Sequence, residues 1–93
     1  MKYVITYDIS NDKRRKKLSD LLEGYGYRVN YSVFECELNQ TKFDKLLYEI
    51  ELQKLVDKKY DSLRFYYMCK NCISKSFDVG QRADAFEEKS LYI

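Results

Sequence analysis

The hydrophobic pattern opens at once: Tyr3-Val4-Ile5-Thr6-Tyr7-Asp8-Ile9 is an apolar, β-rich run that predicts a strand from residue 2 to 8 or 9. Tyr3, Ile5 and Tyr7 fall on one face, Val4, Thr6 and Asp8 on the other. Neither face is plainly a solvent face, so the strand is expected to be central and covered on both sides. Ser10 or Asn11 can cap the helix that follows. In it Leu18, Leu21, Leu22 and Tyr25 recur at the spacing of one helical face. At about 100° per residue, Arg14 and Arg15 lie on the two shoulders of that stripe while Lys13 and Lys16 point away. Gly24 and Gly26 are expected to stop the helix.

A second β-type region runs from Tyr27 to Leu38. The alternation of Val29, Tyr31 and Val33 slips where Val33 and Phe34 stand side by side, which calls for a bulge or hairpin bend near residues 31–33. The reading is two antiparallel strands, 27–31 and 33–38. Asn39 or Thr41 begins a second helix, with Thr41 and Asp44 spaced as a capping box and Phe43, Leu46, Leu47 and Ile50 as its buried stripe. Leu52, Leu55 and Val56 fall on the opposite side of the same wheel, so either the helix breaks near Glu51 or its far face meets something else. Asp61 or Ser62 opens the next strand, with Leu63, Phe65 and Tyr67 on one face and Arg64, Tyr66 and Met68 on the other. Residues 69–75 read as a compact connection and Ser76 to Val79 as a short further strand closed by Gly80. Beyond it the pattern fades until Leu91-Tyr92-Ile93.

The order β-α-β-β-α-β over a single domain, 1–93, is the ferredoxin-like α+β arrangement, in which both helices cover one face of an antiparallel sheet. The strands carry apolar residues on both faces, so the uncovered face is expected to meet a second copy in a two-fold homodimer. The last three residues could add a short C-terminal edge strand.

Composition sharpens this. At 93 residues a chain buries about 60–65% of its extended surface, which makes assembly a natural source of stability. Ten Tyr and five Phe supply large apolar area at low entropic cost, suited to a core that doubles as an interface. The absence of His excludes imidazole acid–base catalysis, Ser-His and Cys-His nucleophiles and His-ligated zinc. No run is long or apolar enough for a membrane span, no secretory leader pattern opens the chain, and three cysteines are an odd number. A cytoplasmic protein without a membrane partner is expected. Net charge is only +2, but Met1–Tyr31 holds Lys2, Lys13, Arg14, Arg15, Lys16, Lys17 and Arg28 against Asp8, Asp12, Asp20 and Glu23. A polyanion should meet the chain there.

The candidate chemistry follows from that juxtaposition. Asp8 stands at the carboxyl end of a strand, just before a basic helical turn. An acid so placed is either a surface or helix-proximal group, or a ligand for Mg²⁺ (or Mn²⁺) whose other ligands are waters and phosphate oxygens. One carboxylate is thin for that work, and a dimer bringing two Asp8 side chains together would supply a second. Arg14 and Arg15, with Arg28, suit bidentate phosphate contact. Such contacts position a nucleic acid without reading its bases. Tyr7, Tyr31 and Phe34 either stack on bases or fill core and interface space, the second being favoured. Glu35 and Glu37 are either solvent-facing charges or a supporting shell for the site. Cys69-Lys70-Asn71-Cys72 is a lone CxxC that cannot complete a zinc site within one chain. A thioredoxin-type role wants such a pair at a helix start after an early strand, so buried or structural thiols are the expectation for Cys69 and Cys72.

Taken together the residues resemble the Cas-two family, the small nuclease-like proteins of CRISPR adaptation. The resemblance is carried by Tyr7-Asp8-Ile9-Ser10-Asn11-Asp12 with Arg14-Arg15 after it, by Gly26-Tyr27-Arg28-Val29-Asn30-Tyr31-Ser32-Val33-Phe34-Glu35-Cys36, by Leu38-Asn39, and by Arg64-Phe65-Tyr66 leading into Cys69-Lys70-Asn71-Cys72. It implies a ferredoxin-like homodimer, metal-dependent endonuclease activity on RNA or double-stranded DNA, and work beside an integrase partner in acquiring new spacers. It also implies that the family's metal aspartate falls on Asp8, its phosphate-contacting positions on Arg15, Lys17 and Arg28, and its implicated strand residues on Ser32 and Phe34. Asn30 stands where many relatives carry Gln. Three rivals fit parts of the pattern: a non-catalytic DNA-binding scaffold of the adaptation complex, an RRM-like RNA binder whose strand motif is missing, and a ligand-sensing regulator dimer.

Overall fold

In the computed structural model of the chain, which describes residues 1–79, the opening apolar run becomes β1 (Lys2–Asp8), an interior strand. It pairs antiparallel with β3 (Val33–Glu37) on one side and β4 (Ser62–Met68) on the other, and β2 (Gly26–Asn30) extends the sheet beyond β3. The strand order β2-β3-β1-β4, with α1 (Asp12–Glu23) after β1 and α2 (Gln40–Leu52) after β3, is the expected ferredoxin-like topology. Register explains which residues are buried. Ile5 stands opposite Phe34 and Phe65, and Tyr3 opposite Cys36 and Tyr67, so these side chains share one face. On that face Ile5, Tyr7, Phe34 and Cys36 form one cluster with Leu18 and Leu22 of α1 and Leu46 and Ile50 of α2. An aromatic triangle fixes α2 on the sheet: Tyr3 to Phe43 is 5.2 Å between ring centroids, and Phe43 to Phe65 is 5.7 Å.

The helix starts come down to two asparagines. Asn11 Oδ1 accepts from the Arg14 amide at 2.9 Å and Asn39 Oδ1 from the Lys42 amide at 2.8 Å, each satisfying a donor the first turn leaves unpaired. Thr41 lies inside α2 rather than at its cap, and Asp44 is engaged by Gln40 instead, so the expected capping box is not formed. Leu47, assigned above to the buried stripe, is exposed, the sheet being already covered by its neighbours Leu46 and Ile50. The apolar residues on the far side of the wheel are explained by a break: α2 ends at Leu52, the chain turns through Lys54 at φ 52°, and Leu55 is buried beyond the helix with Val56 packed against the core.

Two glycines have different work. Gly24 ends α1, its amide donating to Leu21 O at 3.1 Å. Gly26 belongs to β2 and not to the helix stop: a Cβ there would stand 2.1 Å from the Glu35 carbonyl oxygen and 2.7 Å from the Cys36 Cα. The hairpin bend expected near residues 31–33 is the turn at Tyr31 and Ser32 between β2 and β3, and a register slip between Arg28 and Asn30 precedes it and lets Val29 stand out of the ladder.

After β4 the expected connection is a helix, α3 (Lys70–Lys75), whose start is capped by the Cys69 side chain. Ser76 to Val79, expected as a strand, pairs with no strand among the described residues. Gly80 and the suggested edge strand at Leu91-Tyr92-Ile93 lie outside them.

Candidate nucleic-acid interface and metal site

β1 carries Asp8 to the end of an interior strand, on the sheet face away from α1 and α2, opposite Ser62 of β4. It is exposed, and no hydrogen bond or ion pair among the described residues occupies its carboxylate. A hard divalent cation that keeps most of its water and binds phosphate oxygens asks for such a free carboxylate, so the chemistry of this donor fits Mg²⁺ or Mn²⁺. The chain supplies it singly, since no three carboxylates or thiols gather into a cation site among the described residues.

The loop after Asp8 is held by a residue that the sequence reading treated only as a strand start. The Asp61 carboxylate is closed to solvent, covered by its partners at the surface rather than by the core. It accepts from the Ser10 amide and hydroxyl, both at 2.9 Å, from the Asp57 amide at 2.8 Å and from Arg14 Nη1 at 2.8 Å. The Ser10 amide does most to hold its carboxyl below the usual carboxylate range; burial opposes it, and the Asp57 amide, the Ser10 hydroxyl and the Arg14 charge together carry the balance downward. Arg14 is thereby spent on structure.

Arg15 and Arg28 are brought together instead. They line one cleft of about 320 Å³ with Tyr7, Lys16 and Ser19. Arg15 Nε donates to Ile9 O at 3.2 Å and its Nη1 to Asp12 at 2.6 Å. Arg28 bonds Ser19 Oγ and Tyr31 O, and its guanidinium lies 5.0 Å from the Phe34 ring centroid. Asp20 and Glu23 share the cleft, so its positive field is partly compensated. Lys17 stands apart on the exposed face of α1, and among the described residues neither it nor Lys13 has an ion-pair partner.

Tyr7 and Phe34 are core residues: they are 6% and 0% exposed, which takes both out of reach of a stacked base. Tyr7 also ties the hairpin, its amide donating to Ser32 O at 3.1 Å and its hydroxyl to Tyr31 O at 3.2 Å. Ser32 thus contributes through its backbone. Tyr31 is 87% exposed and is the aromatic of the three still able to meet a ligand.

On the second sheet face the structure shows a pair that no periodicity announced. Lys2 Nζ and Glu35 Oε1 are 2.9 Å apart, and both residues are 3% exposed. The Tyr27 hydroxyl donates to the same Glu35 oxygen at 2.9 Å. Burial alone would lower the Lys2 ammonium, but Glu35 and Tyr27 together outweigh it and the group is raised. Nothing in the spacing of a lysine that begins a strand and a glutamate between Phe34 and Cys36 links the two. Only strand register puts them beside each other. Of the three thiols Cys36 is buried, burial pushing its pKa up to about 12, whereas Cys69 is half-buried and Cys72 exposed.

Known proteins share these features. Residues 1–76 match the family model described as CRISPR associated protein Cas2. A CRISPR-associated endoribonuclease Cas2 of Synechocystis is 59% identical over 64 residues, 69% of this chain and 67% of that one. The crystal structure of Streptococcus pyogenes Cas2 at pH 6.5 superposes with a TM-score of 0.71 at 33% identity, covering 86% of this chain and 100% of the other. A chain of a partial Cas6-RT-Cas1–Cas2 complex superposes with a TM-score of 0.64 at 35% identity, covering 84% of this chain and 89% of that one. With the family model spanning the whole sheet and its helices, the chain belongs to the CRISPR-associated Cas2 family.

Proposed function

We propose that the chain acts as a homodimeric, metal-dependent endonuclease on RNA or double-stranded DNA, in spacer acquisition beside an integrase. The observation that carries this is Asp8, an exposed carboxylate with no partner among the described residues, at the end of an interior strand and next to a helix whose first two turns hold five basic residues. Relatives named endoribonuclease and a Cas1-containing complex with a similar chain support it.

In this reading Lys13 and Lys17 meet the nucleic-acid backbone as point charges, while Arg15 and Arg28, already oriented by Ile9 O, Ser19 and Tyr31 O, offer their remaining donors to phosphate. Pre-oriented donors lose little entropy on binding. Asp8 holds Mg²⁺ or Mn²⁺, which supplies charge neutralisation at phosphorus and a more acidic bound water. The two-fold copy brings a second Asp8. Tyr31, on the exposed turn, can add a stacking contact without reading sequence.

The lone carboxylate also favours a second reading: a non-catalytic scaffold that holds duplex DNA by the same cations. One comparison separates them. In the first reading Asp8→Asn abolishes Mg²⁺-dependent cleavage and leaves binding within about threefold, because the cations do the binding. Equal cleavage by wild type and D8N, or none by either in Mg²⁺ and Mn²⁺, would overturn it. Salt-sensitive binding with no cleavage selects the scaffold.

A further inference from the structure

The CxxC segment is left over by this function, and its geometry differs from that of structural thiols. Cys69 caps α3 directly after β4, with φ −68° and ψ 165°, and Cys72 lies in the first turn. Their sulfurs are 3.1 Å apart, about 1 Å more than a bonded S–S distance. The Cys72 amide donates to Cys69 Sγ at 3.4 Å. Both side chains are reachable from solvent, Cys72 more than Cys69, whereas Cys36 is buried. We propose that Cys69 and Cys72 form a thiol–disulfide exchange site that takes low-molecular-weight disulfides of the glutathione class, with Cys69 attacking and Cys72 resolving.

The division of roles follows from the helix start, where the Cys72 amide donates to the Cys69 sulfur. Hydrogen bonding from the Cys72 side chain, then from the Cys72 amide, lowers the Cys69 thiol, with the Asn71 amide and the Lys75 charge adding to this. The same contact raises Cys72. The thiolate is the nucleophile, so Cys69 reacts first. Its sulfur attacks one sulfur of the disulfide, the S–S bond breaks, and one thiolate leaves to take up the Cys69 proton from solvent. Cys72 then loses its proton and attacks the Cys69 sulfur of the mixed disulfide, releasing a second thiol. The protein is oxidised by two electrons and the small disulfide is reduced to two thiols. Closure fastens the end of β4 to α3, the helix whose Ile73 shares a cleft with Lys2, Glu37 and Met68 at the sheet edge.

The test uses the whole chain, reduced and freed of reductant, then exposed anaerobically to oxidised glutathione and followed by intact mass and thiol count. Wild type is expected to lose two thiols and retain no glutathione, with Cys36 reacting only after denaturant is added. Cys72→Ser should stall with one glutathione on Cys69, and Cys69→Ser should react about tenfold more slowly. Alkylation of reduced wild type, mapped by peptide, gives the same ranking without a variant, Cys69 being modified first at neutral pH. Wild type that stays reduced, that keeps glutathione without closing, or that alkylates at Cys69 and Cys72 equally fast overturns the proposal.

Discussion

Asp61 Oδ2 meets Arg14 Nη1 at 2.8 Å across 47 positions of sequence, and the same carboxylate accepts two hydrogen bonds from Ser10. This single side chain ties the loop before β4 to the loop after β1, the one that follows Asp8. The basic helix and the candidate metal ligand therefore hold a fixed relation that neither local segment could set.

The depressed carboxyl of Asp61 gives a pH signature. A folded pKa below the unfolded value of about 3.9 contributes stability that is fully present above about pH 5 and is lost as pH falls through the folded value. Asp61→Asn removes that contribution. Thermal melts of wild type and D61N should differ most at neutral pH and converge in acid, and a gap independent of pH would contradict the clamp.

At Gly26 any side chain meets the backbone of β3, with the Glu35 carbonyl oxygen 2.1 Å from an ideal Cβ. Gly26→Ala should cost about 3 kcal/mol in urea unfolding, because two paired strands must part to admit one methyl group. Gly24→Ala, whose Cβ would stand 3.3 Å from Leu21 O, is the milder control.

The Lys2–Glu35 pair is buried on both sides. Glu35→Leu leaves the ammonium and the Tyr27 hydroxyl without their shared acceptor and should destabilise by about 3–5 kcal/mol. Lys2→Met combined with Glu35→Leu should recover most of that loss, since two apolar side chains avoid the cost of desolvating charge. Denaturant titrations of the three variants check the non-additivity. Because Lys2 is raised, its contribution is complete below an unfolded pKa of about 10.4 and fades as pH rises through the folded value.

Lys17 and Arg28 should separate binding from stability. Lys17→Ala removes an exposed cation with no ion-pair partner among the described residues. It should lower the slope of log affinity against log salt by about 1 and leave the melting temperature unchanged. Arg28→Lys loses the fork that reaches Ser19 and Tyr31 O, so it should weaken binding and lower the melting temperature together. Fluorescence anisotropy at several salt concentrations, with melts alongside, measures both.

The strand ahead of Asp8, both long helices and the β-α-β-β-α-β order were legible in the sequence, because each depends on a period of two or of about 3.6 that a single segment displays. The shoulder positions of Arg14 and Arg15 followed from the same geometry, and both are half-buried. The readings that departed from the structure did so for two different reasons. Leu47 completes an apolar stripe but finds the sheet already covered, and α3 is too short, at six residues, to display a stripe of its own.

Periodicity by itself determined which faces turn inward and that an acid ends the first strand before a basic turn. Tertiary structure decided how those groups are used: Arg14 is consumed by Asp61, Arg15 and Arg28 share a cleft, Tyr7 and Phe34 are withdrawn into the core, and Lys2 meets Glu35. The physical reason is that burial on one face is a local property of a helix or strand. Which charge meets which across the sheet depends on strand order and register, fixed only when distant segments pair.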